Sequence, residues 1–140
     1  MWKPAILPGD FVVTSLAPGA AYAPGNLKFF AYACPANYGQ GCKILRSMDG
    51  GQTWSMRGAV GDYAFYDPFE LQVAADGALY ANYYTGGQSR LMRSVDEGMS
   101  FTPVHPDPPN PLDGIYKFGI SPGFMSDGAL YAYEIGRAHV

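Results

Sequence analysis

Charge is scarce in this chain: Asp, Glu, Lys and Arg together make up 15% of its 140 residues, and the net charge is −3. No basic stripe runs along it, which argues against nucleic acid as a partner. No apolar run reaches membrane-spanning length, and Met1-Trp2-Lys3-Pro4 lacks the charged-then-apolar pattern of a signal peptide. Helical periodicity is missing beyond a single turn. With only two cysteines, a metal centre would want for further ligands, so neither metal nor cofactor is expected. Apolar and aromatic residues are plentiful instead, at 48% and 15%, which supplies a packed core and excludes disorder.

The chain repeats itself. Ser47-Met48-Asp49-Gly50-Gly51-Gln52-Thr53-Trp54 returns 47 residues later as Ser94-Val95-Asp96-Glu97-Gly98-Met99-Ser100-Phe101. Both copies follow a basic-apolar-apolar-Arg segment, Lys43 to Arg46 and Arg90 to Arg93. A second motif, Asp76-Gly77-Ala78-Leu79-Tyr80-Ala81, recurs letter for letter at Asp127 to Ala132, and its place in the first unit is taken by Leu27 to Tyr32. Trp2 followed by Gly9-Asp10-Phe11 has the spacing of Trp54 followed by Gly61-Asp62-Tyr63, so Trp2 reads as the end of an earlier copy.

Residue types within the octapeptide describe a turn. Alternating Ile44 to Arg46 reads as one strand and Thr53 to Met56 as the next, so the chain must reverse between them. A short carboxylate at Asp49 or Asp96 can accept hydrogen bonds from backbone amides just ahead of it. Gly51 and Gly98 would supply positive φ, and because Gly50 becomes Glu97, the second glycine is the one the geometry is expected to need. Trp54 and Phe101 then cover the hairpin. A catalytic pair of aspartates is the competing reading, and it requires two separate hairpins to converge. Arg46 and Arg93, being part of the repeat, are expected to brace it.

Four short strands per unit are expected, over 11–16, 27–33, 43–48 and 53–58, then 70–74, 78–84, 90–95 and 100–104, with a third unit starting at 116–120 and 129–133. Four strands in about 50 residues match the blade of a β-propeller, giving an all-β fold of antiparallel sheets. The divisions are 1–10, the outer strand of a preceding blade; 11–60 and 61–109, complete blades; and 110–133, half of a third. Glu134 to Val140 reads as a translated frame of a common sequencing adapter, so 134–140 is expected to be non-native.

The octapeptide resembles the Asp-box, or BNR, repeat of sialidases, sortilin-type receptors, some xyloglucanases and photosystem assembly factors, all of them β-propellers. The resemblance rests on Ser47, Asp49, Gly51, Thr53 and Trp54, and on Ser94, Asp96, Gly98, Ser100 and Phe101. It implies that these residues are structural and lie away from any active site. It also implies a largely secreted or extracytoplasmic setting. In sialidase-like relatives the ligand face is the one opposite the boxes.

Topology points to the same face. In an antiparallel meander the box turns share one end with the strand one-to-two loops, and the other end carries the remaining loops. There Asn37, Tyr38, Tyr63, Tyr66, Asp67 and Gln88 offer flat rings, amides and a carboxylate suited to a glycan or protein ligand. Ordinary packing or solvation is the plain alternative for each. Cys34 and Cys42 flank one of these loops, within reach of a disulfide if the loop is a hairpin, and two free thiols are the other reading. His105 and Asp107 sit in a proline-rich stretch that reads as an inter-blade linker rather than a metal or catalytic dyad.

Two functional classes follow: a non-catalytic glycan- or protein-binding scaffold, or part of a secreted glycoside hydrolase of the exo-sialidase or xyloglucanase type. The resemblance implies that a sialidase would need an arginine cluster for the substrate carboxylate and a Tyr/Glu nucleophile pair, whereas other glycosidases need two facing carboxylates. Apart from the octapeptides, the Arg46 and Arg93 that precede them, and the tail, the chain offers Arg57, Arg90 and one glutamate, Glu70. Glu70 is therefore the single outside candidate for catalysis, and no complete catalytic set is present.

Overall fold

The computed structural model describes residues 4–36, 41–60, 70–85, 88–104, 115–134 and 137–139. These residues form three antiparallel sheets that follow one another along the chain. The first contains β1 (Phe11–Pro18), β2 (Phe29–Pro35), β3 (Lys43–Ser47) and β4 (Ser55–Ala59), neighbours in that order. The second repeats the arrangement with β5 (Leu71–Val73), β6 (Leu79–Thr85), β7 (Gln88–Ser94) and β8 (Thr102–Pro103). In the third, β10 (Leu130–Glu134) lies between β9 (Ile115–Ile120) and β11 (Arg137–His139). One helical turn, α1 (Phe124–Asp127), precedes β10 and ends at Gly128 in the left-handed region, φ 60°.

Every sheet is a meander, so successive turns fall at alternate ends. The β1–β2 and β3–β4 connections meet at one end, where the Gly50 amide donates to the Leu27 carbonyl at 2.9 Å. The end of β2 and the start of β3 meet at the other end, where the Cys42 carbonyl accepts from the Val60 amide just past β4 at 2.8 Å.

Strand limits depart from the sequence-based expectation where the turns claim backbone groups. β4 starts at Ser55 rather than Thr53 because the Thr53 amide bonds the Asp49 carboxylate, 2.9 Å, and the Trp54 amide bonds Ile6 O, 3.1 Å. β2 starts at Phe29 rather than Leu27, whose carbonyl is spent on Gly50. The loop expected at 121–126 runs into α1, which is held by Ser121 Oγ donating to Asp127 Oδ2 at 2.7 Å and by the Asp127 amide donating to Gly123 O at 3.0 Å. Arg137–His139 pairs with β10 although its sequence reads as adapter-derived. An open sheet edge presents unpaired backbone groups to any adjacent segment, so such pairing demands little of the sequence.

Alternation along the strands gives the first and second sheets two apolar faces each. Phe30, Tyr32, Cys34, Cys42 and Ile44 point from the first sheet towards Leu71, Leu79, Ala81 and Met92 of the second. On the second sheet's other face, Ala74, Ala78, Tyr80 and Leu91 pack with Phe118, and Ile120, Leu130 and Ala132 of the third sheet flank them. Ala31, Ala33 and Leu45 cover the first sheet's remaining face, beneath Leu7, Phe11, Val13 and Trp54. Each fully buried Ile or Leu in these layers contributes about 1.5–3 kcal/mol.

The layers approach closely where a turn of the second sheet meets the first. A Cβ at Gly58 would lie 2.3 Å from Gly98 O and 2.6 Å from Met99 O. Both obstacles are backbone, so Gly58→Ala must push the two sheets apart. It is expected to lower stability by about 1–3 kcal/mol. Gly119→Ala, where nothing lies within 4 Å, is expected to change stability by less than about 0.5 kcal/mol. Thermal unfolding of the two variants measures the difference directly.

Candidate functional site

The two repeated turns have one wiring. In the first, the Asp49 carboxylate accepts from the Ser47 hydroxyl (2.7 Å), the amides of Gln52 (3.0 Å) and Thr53 (2.9 Å), and the Thr53 hydroxyl (2.5 Å). The Ser47 oxygen in turn accepts from the Gly51 amide at 2.8 Å. In the second, Asp96 accepts from the Ser94 hydroxyl (2.7 Å), the Ser100 amide (2.9 Å) and the Ser100 hydroxyl (2.5 Å), and Ser94 accepts from the Gly98 amide at 2.9 Å. Ser47 and Ser94 are buried. Each serine therefore satisfies an amide that no strand partner can reach.

Backbone angles explain the residue types. Gly50 and Gly51 have φ 75° and 93°, and Glu97 and Gly98 have φ 56° and 86°. Both positions are thus left-handed, not the second alone. The first lies in the small region that side chains can occupy, so Glu97 is tolerated; the second lies beyond it. At Gly98 a Cβ would also meet Ile44 Cγ2 at 2.6 Å. Trp54 Nε1 donates to Gly51 O at 2.9 Å, a bond that Phe101 has no group to repeat.

Glu97 has a purpose that sequence reasoning missed. Its carboxylate bonds both Lys28 and Arg46 of the first sheet, while Arg57 Nε donates to Glu97 O at 3.0 Å and Arg57 Nη2 to Asp96 O at 3.1 Å. The only signal in the sequence was the non-glycine itself at a repeat position that otherwise holds glycine. Arg93, the counterpart of Arg46, instead lies 3.8 Å from Asp76 Oδ2, with its guanidinium 6.0 Å from the centre of the Tyr80 ring. Both repeated arginines are engaged within the protein.

These contacts set the electrostatics. The Thr53 hydroxyl, then the Thr53 amide and Ser47, hold Asp49 from the ordinary 3.8 down to about 2. Asp96 is likewise held at about 2, first by the Ser100 hydroxyl. Glu97 is lowered mainly by its bond to Lys28. Carboxylates so depressed stay charged at neutral pH and are poor proton donors.

At the opposite end, Cys34 and Cys42 are joined by a disulfide across the β2–β3 loop. Glu70, just before β5, has its amide bonded to Asn82 Oδ1 at 2.7 Å and its carboxylate paired with Lys117 Nζ at 2.5 Å. Gln88 opens β7, its backbone opposite Thr85. Asn37, Tyr38, Tyr63, Tyr66, Asp67, His105 and Asp107 lie outside the described residues. Among the described residues no three His, Cys, Asp or Glu side chains come together, and no helix is long and apolar enough to cross a membrane. Comparison with family models, curated proteins and solved structures finds no match.

Two outcomes follow from the turn geometry. Ser47→Ala strands a part-buried amide and Ser94→Ala a buried one, and each is expected to cost about 1–3 kcal/mol in denaturant unfolding. Acid should act through the aspartates. Their pKa is lower folded than unfolded, so unfolding takes up protons; their contribution is complete above about pH 4 and disappears as pH falls through about 2. Thermal melts across this range should show a shallower pH dependence for the Asp49→Asn, Asp96→Asn double variant than for the parent protein.

Proposed function

We propose that this chain is part of an Asp-box β-propeller whose box turns are structural and whose opposite loop face binds a glycan or protein ligand without catalysing a reaction. The observation that carries the reading is the wiring of Asp49 and Asp96. Both carboxylates are occupied by donors of their own turns, so neither is free to serve as an acid, a base or a nucleophile. Face-to-face stacking of four-stranded meanders is also what successive blades require. The Cys34–Cys42 disulfide fits an extracytoplasmic setting.

Glu70 is the remaining carboxylate of interest, and its ion pair with Lys117 gives it a structural occupation. Among the described residues no second carboxylate faces it as glycoside hydrolysis requires. The glycan- or peptide-holding groups of the reading are those of the loop end, Tyr63 and Tyr66 foremost.

Surface plasmon resonance of the full chain against sialosides, β-glucans and unglycosylated peptides tests the proposal. Saturable binding is expected, weakened about tenfold or more by Tyr63→Ala or Tyr66→Ala and unaffected by Asp49→Asn. Turnover of any of these glycans that Glu70→Gln abolishes, with folding intact, would replace it with a glycosidase.

A further inference from the structure

The dipeptide Asp-Gly stands at Asp49-Gly50, Asp76-Gly77, Asp113-Gly114 and Asp127-Gly128; Asp113 and Gly114 lie outside the described residues. This dipeptide carries a reaction of its own. The glycine nitrogen attacks the aspartate Cγ and gives up its proton as the new C–N bond forms. The carboxyl loses one oxygen as water, which closes a five-membered succinimide. Glycine favours the attack because no Cβ crowds the nitrogen. Water then opens the ring at either carbonyl. One opening restores aspartate; the other gives isoaspartate, in which the main chain runs through the side-chain carbon.

The fold decides how far each pair stands from ring closure, because the carboxylate and the glycine amide must both be released. At Asp49 four donors hold the carboxylate, and the Gly50 amide is bonded across to Leu27 O at 2.9 Å. At Asp127 both oxygens are taken, Oδ2 by the Ser121 hydroxyl at 2.7 Å and Oδ1 by the Ala129 amide at 2.8 Å. The Gly128 amide caps α1 on Phe124 O at 2.8 Å, although the space beside Gly128 is open. Both carboxyls are held below the ordinary range, by the Thr53 and Ser121 hydroxyls first, which thins the neutral acid from which water leaves.

Asp76 differs on each count. It stands in the exposed turn between β5 and β6. Its Oδ1 accepts from the Ala78 amide at 3.0 Å, while Arg93 stays 3.8 Å from Oδ2, beyond hydrogen-bond reach. The Gly77 amide bonds Ala74 O at 2.9 Å, within the same turn, and nothing lies within 4 Å of a Cβ placed at Gly77. That bond can open without displacing another element, so the local cost is small.

We propose that Asp76-Gly77 is a modification site, where the folded protein forms succinimide and then isoaspartate, while the fold protects Asp49-Gly50 and Asp127-Gly128. The product enters at a sensitive place. The extra main-chain carbon lies just before Ala78, Leu79 and Tyr80, all buried, and Leu79 pairs with Val73 of β5. The Ala78 amide loses its carboxylate acceptor. The modification therefore acts on the β5–β6 hairpin and on the Tyr80 ring, which meets Phe124 edge-on at 6.1 Å.

Incubating the folded full chain at neutral pH in heavy-oxygen water, followed by peptide mapping with mass spectrometry, provides the test. Each ring opening leaves one heavy oxygen in the peptide of its aspartate. Label at Asp76 is expected to accumulate about tenfold or more faster than at Asp49 or Asp127, whose additional hydrogen bonds must open first. In denaturant the three rates should converge. A purified isoaspartyl methyltransferase with S-adenosylmethionine reads the product. Methyl acceptance by the aged chain should fall in Asp76→Glu, which keeps the carboxylate but would need a less favoured six-membered ring, with far-UV circular dichroism unchanged. Label at Asp49 or Asp127 that keeps pace with Asp76 in the folded chain overturns the proposal. So does a folded chain that labels at none of the three, or the same ranking in denaturant, which would assign the difference to local sequence. Methyl acceptance undiminished by Asp76→Glu overturns it as well.

Discussion

A tight turn between strands leaves several amides without a ladder partner, and in this protein a serine and an aspartate take their place. The Ser47 and Ser94 oxygens reach forward to the amides of Gly51 and Gly98, and the Asp49 and Asp96 carboxylates reach forward to those of Thr53 and Ser100. The side chains thereby stand in for a missing strand. Everything outward of the turn inherits its geometry: the start of β4, the position of Trp54, and the surface that the next sheet meets.

That surface is where local and long-range structure join. The second turn presents Gly98 to Ile44, its carbonyls to Arg57, and the Glu97 carboxylate to Lys28 and Arg46. A partly exposed ion pair is worth little by itself. Here three cations converge on one turn whose backbone is already fixed, so the ordering cost has been met by the turn. Glu97 accepts a left-handed backbone, φ 56°, in order to stand there. The apolar layers supply the bulk of the attraction and the turn sets their register.

The sequence was most legible where a pattern was local. Ile44-Leu45-Arg46 alternates and is a strand; Asp-Gly-Ala-Leu-Tyr-Ala occurs twice and opens the second strand of a sheet both times. The turn was readable because Ser, Asp and Gly each have a short-range reason to be there. Two kinds of information were not. Whether Thr53 belongs to a turn or a strand depends on which acceptor wins its amide, and nothing in its neighbours decides between a carboxylate and a ladder carbonyl. The meeting of Glu97 with Lys28, 69 residues away, depends on how sheets stack. As for the candidate site, the sequence named one end of the meander, and of the residues it named there only the backbone of Gln88 lies among those described. The reach of Glu70 to Lys117 emerged only from the fold.

The disulfide closes a loop within one sheet and ties no sheet to another. Under tension it would therefore act as a clasp on slack rather than as a rivet between plates. Cys34 and Cys42 are separated by 8 positions, and a fully extended segment of that length spans about 25 Å. A force pulling the chain ends apart would separate the sheets against apolar contacts, ion pairs and a few hydrogen bonds such as those of Arg57 and Gln72, while that 25 Å stayed hidden. Its release on reduction would lengthen the stretched molecule without altering the force at which the layers part.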